Sequence, residues 1–257
     1  MKKELIQKFV RLYHLNGLIP DSVMWAIKDK SLSTRITTKD KTTMGVINLD
    51  KFELDDSEFA VNDAAKVLKL ITPLPEEINL TLSYLDTTPN ALLAEGLGKA
   101  KLDTTITLAD KSTVDKVAHL KKVPDFNLEF DLDEELMTLI ISVKNSVPES
   151  KTLTFTTEDA EDGQIKMIFG YISDISTDRT AMNIPVTFLK DGDILYKSFS
   201  AESFKNILLV NKGFKTGKIR VFAEGLLNLV FEHEFALSDT EMATFTAEYY
   251  LVQLKNV

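Results

Sequence analysis

The chain has 257 residues, 44% of them hydrophobic, no cysteine and a formal net charge of −9, a size and apolar content that suit two globular domains, each burying its own core. No apolar run reaches the ~18 residues a helical membrane span needs, and Glu4, Gln7, Lys8 and Arg11 break the amino-terminal segment where a signal peptide would be continuous, so a chain kept in the cytoplasm is expected. Without cysteine there are no disulfides, no thiol catalysis and no Cys-ligated zinc.

In chain order, residues 2–14 carry Leu5, Ile6, Phe9, Val10, Leu12 and Tyr13 on one side and Glu4, Gln7, Lys8 and Arg11 on the other, the spacing of a helix lying on a core. Asn16, Gly17 and Pro20 end it. The runs 23–28, 32–38 and 43–49 are short and β-branched, separated by Asp-Lys and Lys-Asp pairs, and read as antiparallel strands. After the strand 59–61, Asn62 or Asp63 caps a helix over 64–72, stopped by Pro73 and Pro75. Residues 78–85 and 92–108 are strand-like, turning at Thr87-Thr88-Pro89-Asn90, with Gly96 and Gly98 marking a bulge or second turn. The charged stretch 110–126 fits neither period and reads as a connector.

Beyond it, a strand at 127–132 leads into a helix over 133–147 with Asp133, Glu134 and Glu135 in its first turn and Leu136, Ile140, Val143 and Val147 as its buried side. Residues 152–157 and 164–170 form a hairpin around an acidic turn, and 184–189 and 194–199 are expected to form another across Lys190-Asp191-Gly192-Asp193. Ser200 caps a helix over 201–212 that buries Phe204, Ile207 and Leu208, and strands at 218–223, 227–237 and 244–254 complete the chain. The order helix, strands, short helix, strands thus occurs twice, half a chain apart, which marks a duplicated domain.

Catalytic signatures are missing. In Glu232-His233-Glu234 neighbouring side chains alternate across a strand, so the three cannot chelate together. There is no Gly-rich phosphate loop, no H-E-x-x-H and no G-x-S-x-G, and the acidic turn 158–162 lacks the glycine and helices of a calcium loop. No enzyme, metal or cofactor is expected. Charge is more informative: residues 1–125 hold 18 Lys+Arg and 18 Asp+Glu, residues 126–257 hold 12 and 21, so the halves stand at 0 and −9. Each short helix nevertheless shows lysines opposite its apolar stripe. If the helices share one side of a sheet, Lys8, Arg11, Lys66, Lys69, Lys144, Lys205 and Lys212, with Lys215 following, make a surface that tracks phosphates without reading bases.

Two similar halves of helix-backed strands, a charged connector and the ending Glu248-Tyr249-Tyr250-Leu251-Val252 together resemble the DNA polymerase sliding clamps. The Tyr-Tyr-Leu tail is similar to the proliferating-cell-nuclear-antigen branch, and a helix almost at Met1 is similar to clamps of T4-type tailed phages. The resemblance implies an α+β fold of two clamp domains, 1–109 and 127–257 joined by 110–126, each with antiparallel sheets backed by two helices and assembling into a closed homotrimeric ring. It implies a processivity factor that encircles double-stranded DNA, with a polymerase and an ATP-dependent clamp loader as partners and no membrane. By position it places a partner-peptide pocket at Met44, Val46, Leu120, Val123, Pro124, Tyr250, Leu251 and Val252.

Two departures from the family stand out. The helix 133–147 carries only Lys144 at the margin of its open face, and there is no room for a full strand before the first helix. A ring-forming viral structural β-protein that does not bind DNA is the alternative, and it would show no excess of lysine on its open helix faces. An acidic DNA mimic would space its acids along one face, and a carbohydrate-binding sandwich would carry more than one Trp.

Overall fold

The computed structural model of the chain describes residues 1–19, 22–98, 101–115, 117, 123–173 and 178–255. They fall into two compact units, one comprising residues 1–37, 45–118 and 233–247 and the other residues 38–44, 119–232 and 248–257.

In the first unit, helix α1 (Lys3–His14) buries its whole apolar stripe. Strands β1 (Val23–Lys28), β2 (Ser31–Thr37), β3 (Thr43–Leu49) and β4 (Ser57–Val61) follow. Phe9 and Tyr13 meet Trp25 of β1 edge-on at 5.3 and 6.4 Å, and Phe59 lies 5.8 Å from the same ring, so one aromatic cluster pins α1 to the sheet. The β1–β2 turn is made by Asp29 and Lys30, both left-handed at φ 50° and 60°, which matches a tight two-residue hairpin. Helix α2 (Ala64–Ile71) starts at Asp63, whose carboxylate accepts the Lys66 backbone N–H at 2.8 Å. Of the two expected caps, Asp63 is the one used.

A separate sheet of β5 (Ile78–Leu85), β6 (Thr88–Gly96) and β7 (Asp103–Thr107) belongs to the same unit. The strand-like stretch 92–108, expected to be interrupted at Gly96 and Gly98, is two strands. The first ends at Gly96, a glycine because a Cβ there would come within 2.5 Å of the Pro75 side chain. The turn falls at Asp86 and Thr87 rather than 87–90, and Pro89 sits inside β6 beside a register break between Ser83 and Tyr84, which accommodates its missing N–H. Ahead of α1, Lys2 forms an isolated bridge to Glu77 and Lys3 N–H donates to the Glu76 carbonyl at 2.8 Å.

The second unit opens with β8 (Leu128–Asp131) and helix α3 (Glu134–Ser146), capped by Asp133 at the Leu136 N–H, 2.7 Å. Strands β9 (Thr152–Thr156), β10 (Gln164–Phe169) and β11 (Thr180–Pro185) come next, then β12 (Thr187–Phe188), β13 (Lys197–Ser200) and helix α4 (Ala201–Val210), capped as expected by Ser200. Strands β14 (Thr216–Phe222), β15 (Leu226–Ala236) and β16 (Met242–Val252) end the chain. One sheet takes the order β11-β10-β9-β13.

Two expectations are corrected here. Segments 184–189 and 194–199 do not pair with each other. β11 pairs with β10, β12 with β8 and β13 with β9, because the chain leaves one sheet at Val186, whose N–H donates to Gly163, and spends only two residues on the other. The 190–193 loop instead wraps Asn127, whose carbonyl accepts the Leu189 N–H at 2.8 Å. Helix α3 is also rotated: its deeply buried positions are Met137, Ile140 and Lys144, while Leu136 and Val143 are half-buried.

Candidate functional site

Helices α1 and α2 pack side by side in the first unit. Lys3 and Gln7 turn towards α2, Lys3 Nζ donating to the Thr72 carbonyl at 3.1 Å and Gln7 Nε2 to Thr72 Oγ1 at 3.3 Å, so these two groups cap the end of α2. Arg11, Lys66 and Lys69 lie exposed and Lys8 is half-buried. Loss of water, and then the charge of Arg11, lower the Lys8 ammonium to about 8.

In the second unit α3 packs against α4. Lys205 is half-buried on α4, and Lys212 and Lys215 are exposed just beyond its end. Lys144 is the exception. It is 3% exposed, and its Nζ donates to the carbonyls of Val147 at 3.3 Å and Pro148 at 2.9 Å, where α3 ends. The expectation that it joins the cationic face is corrected: the two carbonyls just past the helix end and a buried site for its stem hold it inward. Lys218 stands apart too, with Nζ 2.6 Å from Glu129 on β8 and Arg220 Nε 3.1 Å from the same carboxylate, a hydrogen bond from Lys218 leading the causes that hold Glu129 below the usual carboxylate range.

The tail residues separate by strand alternation. Tyr249 and Leu251 are buried on the core side, where Tyr249 meets Phe231 at 6.3 Å and its hydroxyl accepts from Asn211 Nδ2 at 3.3 Å. Tyr250 and Val252 point the other way. Leu251, 1% exposed, is therefore a core residue, and Tyr250, on the other face, is itself only 2% exposed. On the opposite side, Val252 N–H donates to the Thr42 carbonyl at 2.8 Å, which sets Tyr250 beside Met44 on the neighbouring strand. Met44 is half-buried, Val123 46% exposed, Pro124 half-buried and Val252 37% exposed. Val46 is half-buried on β3, and Leu120 lies outside the described residues.

Glu248, which the sequence did not single out, holds the Tyr250 side chain. Its Oε1 accepts the Tyr250 hydroxyl at 2.6 Å and Asn228 Nδ2 at 3.1 Å. Burial first, and then this carboxylate, push the Tyr250 phenol well above its ordinary value, so it stays a protonated donor. The same-face spacing of 248 and 250 was the available signal. Elsewhere His233 is buried, and no group of three or more acidic or histidine side chains among the described residues is placed to hold a metal ion. No helix among them is long and apolar enough to cross a membrane.

The geometry defines a class, an α+β clamp fold of helix-backed antiparallel sheets. No protein-family model and no curated protein matches the sequence. Solved structures do match the fold, that of the proliferating-cell-nuclear-antigen clamps. The chain superposes on A. fulgidus PCNA bound to the C-terminal region of FEN-1 with a TM-score of 0.71 at 15% identity, covering 100% of this chain and 98% of that one. For the Sulfolobus tokodaii PCNA2–PCNA3 complex the values are 0.68 and 14%, with 96% of each chain covered. For the Entamoeba histolytica antigen they are 0.72 and 10%, covering 99% and 97%.

Proposed function

We propose that the chain is the subunit of a ring-shaped sliding clamp, a non-enzymatic processivity factor that encircles duplex DNA without sequence specificity and tethers a polymerase and other replication proteins. The observation that carries the reading is a clamp fold over the whole chain whose helices α1, α2 and α4 turn Lys8, Arg11, Lys66, Lys69 and Lys205 away from their cores, with Lys212 and Lys215 after α4. In this reading residues 1–109 and 127–257 are the clamp domains, 110–126 joins them, and an ATP-dependent loader opens the ring.

Two strand edges support self-assembly as a homotrimer. Gly96 and Leu108 N–H groups donate to Leu102 and Asn90, so by the alternation of an antiparallel ladder the backbone groups of Asp103, Thr105 and Thr107 in β7 face away from β6. On β11 the same reasoning turns Ala181 and Asn183 away from β10. β7 of one copy pairing with β11 of the next is a head-to-tail contact, which closes into a ring and removes both edges. Met44, Val46, Leu120, Val123, Pro124, Tyr250 and Val252 take the partner peptide, as a segment of FEN-1 is bound to the A. fulgidus clamp.

The test joins mass and activity. The particle should weigh three times 28.9 kDa and appear as a ring. Reversing Lys66, Lys69, Lys205 and Lys212 to Glu should leave that ring intact and shorten polymerase products at moderate salt. Unchanged product length would sink the DNA assignment.

A further inference from the structure

We propose that α3 withholds cations from the duplex, so that each chain grips DNA through α1, α2 and α4 alone. The inference rests on the clamp reading above and concerns the one α-helix among the described residues whose open face differs in kind. Glu134, Glu135, Thr138, Leu139, Ser142, Asn145 and Ser146 are its exposed positions, and none is basic. Its one cation, Lys144, is turned in and bonded to the Val147 and Pro148 carbonyls. Swinging it out would strip two acceptors at the helix end and empty a filled site, which opposes any recruitment by a phosphate. The two exposed acids of the first turn suit the positive end of the helix, so the negative tip is stabilised by the helix itself. α4, packed against α3 in the same unit, carries Lys205 and is followed by Lys212 and Lys215, so the lack of cations belongs to α3 and not to the unit.

The consequence is a looser grip. Every phosphate that a protein neutralises steepens the fall of log affinity with log salt by ~0.9, so a face without cations removes its share of both affinity and salt dependence. For a ring held by linkage, such weakening leaves the hold intact and favours motion along the duplex.

The experiment measures binding of the full chain to a fluorescent duplex oligonucleotide across a salt series. Thr138→Lys with Ser142→Lys, both at exposed positions, should tighten binding and steepen the salt slope by ~0.9 for each phosphate newly reached. Lys144→Met should leave the slope unchanged, and Lys66→Glu with Lys69→Glu should weaken binding and flatten it. If the α3 lysines change nothing while the α2 reversals weaken binding, α3 lies out of reach of DNA and the inference falls, with the clamp reading intact. A flatter slope for Lys144→Met also overturns it, since Lys144 would then be reaching phosphate. If the α2 reversals themselves have no effect, the clamp reading fails and the inference with it.

Discussion

The Lys8 ammonium sits half-buried one turn from Arg11, and desolvation together with that guanidinium lowers it to about 8 from an ordinary 10.5. Between those values the unfolded chain holds a proton that the folded chain has released, so stability rises with pH across that window. Duplex affinity should move the opposite way, because the released proton takes a cation from the phosphate face. Lys8→Arg, which stays charged throughout, should abolish both trends, read by urea unfolding and duplex titration between pH 7 and 10. A second prediction separates neighbours in the tail. Leu251→Ala opens a cavity on the core side and should cost about 2–5 kcal/mol of stability. Tyr250→Phe keeps the ring but leaves Glu248 with only the Asn228 amide of its two bonds, and should weaken partner-peptide binding with little loss of stability. Equal affinity in calorimetry would reduce Tyr250 to a packing residue.

Among the elements, β7 offers a clean test of assembly. Because Thr105 directs its N–H away from β6, Thr105→Pro deletes an outward donor without touching the β6–β7 ladder. The variant should fold with unchanged circular dichroism and yet sediment as a monomer. A trimer would exclude β7 as the joining edge. Among the described residues the four α-helices were legible in the sequence because apolar residues recur at helical spacing and three of the helices begin at a side-chain cap, Asp63, Asp133 and Ser200. The rotation of α3 was not. Leu136, Met137, Leu139, Ile140, Ile141 and Val143 put apolar groups round most of its circumference, so periodicity alone leaves the buried side open. That ambiguity placed Lys144 on the wrong face. The path from β11 through β12 to β13 was equally hidden, since a two-residue strand has no period and its partner, β8, lies some 60 residues earlier. The tail was placed in the pocket as a block, Tyr250, Leu251 and Val252 together, although strand alternation separates Leu251 from the other two, and the carboxylate that holds the phenol emerges only with rotamers in place.

For the whole molecule, the two halves stand at 0 and −9, so the chain as a whole repels DNA and only local arrangement favours contact. A simple surface binder of this charge would release duplex as salt rises, since exposed lysines are screened within ~8 Å at physiological ionic strength. A closed ring would not, provided the duplex has no ends, because escape then requires breaking subunit contacts rather than phosphate contacts. The clamp reading therefore predicts that protein placed by its loader on a nicked circle stays with the DNA in gel filtration at a salt concentration that abolishes binding to short duplexes. Cutting the circle once should release it at that same salt. Thr105→Pro should be lost from circle and line alike, whereas Lys66→Glu with Lys69→Glu should be retained on the circle if the ring closes without them. Equal loss of the unaltered protein from circular and linear DNA would show that charge, not linkage, holds it, and would leave the clamp fold serving some other purpose.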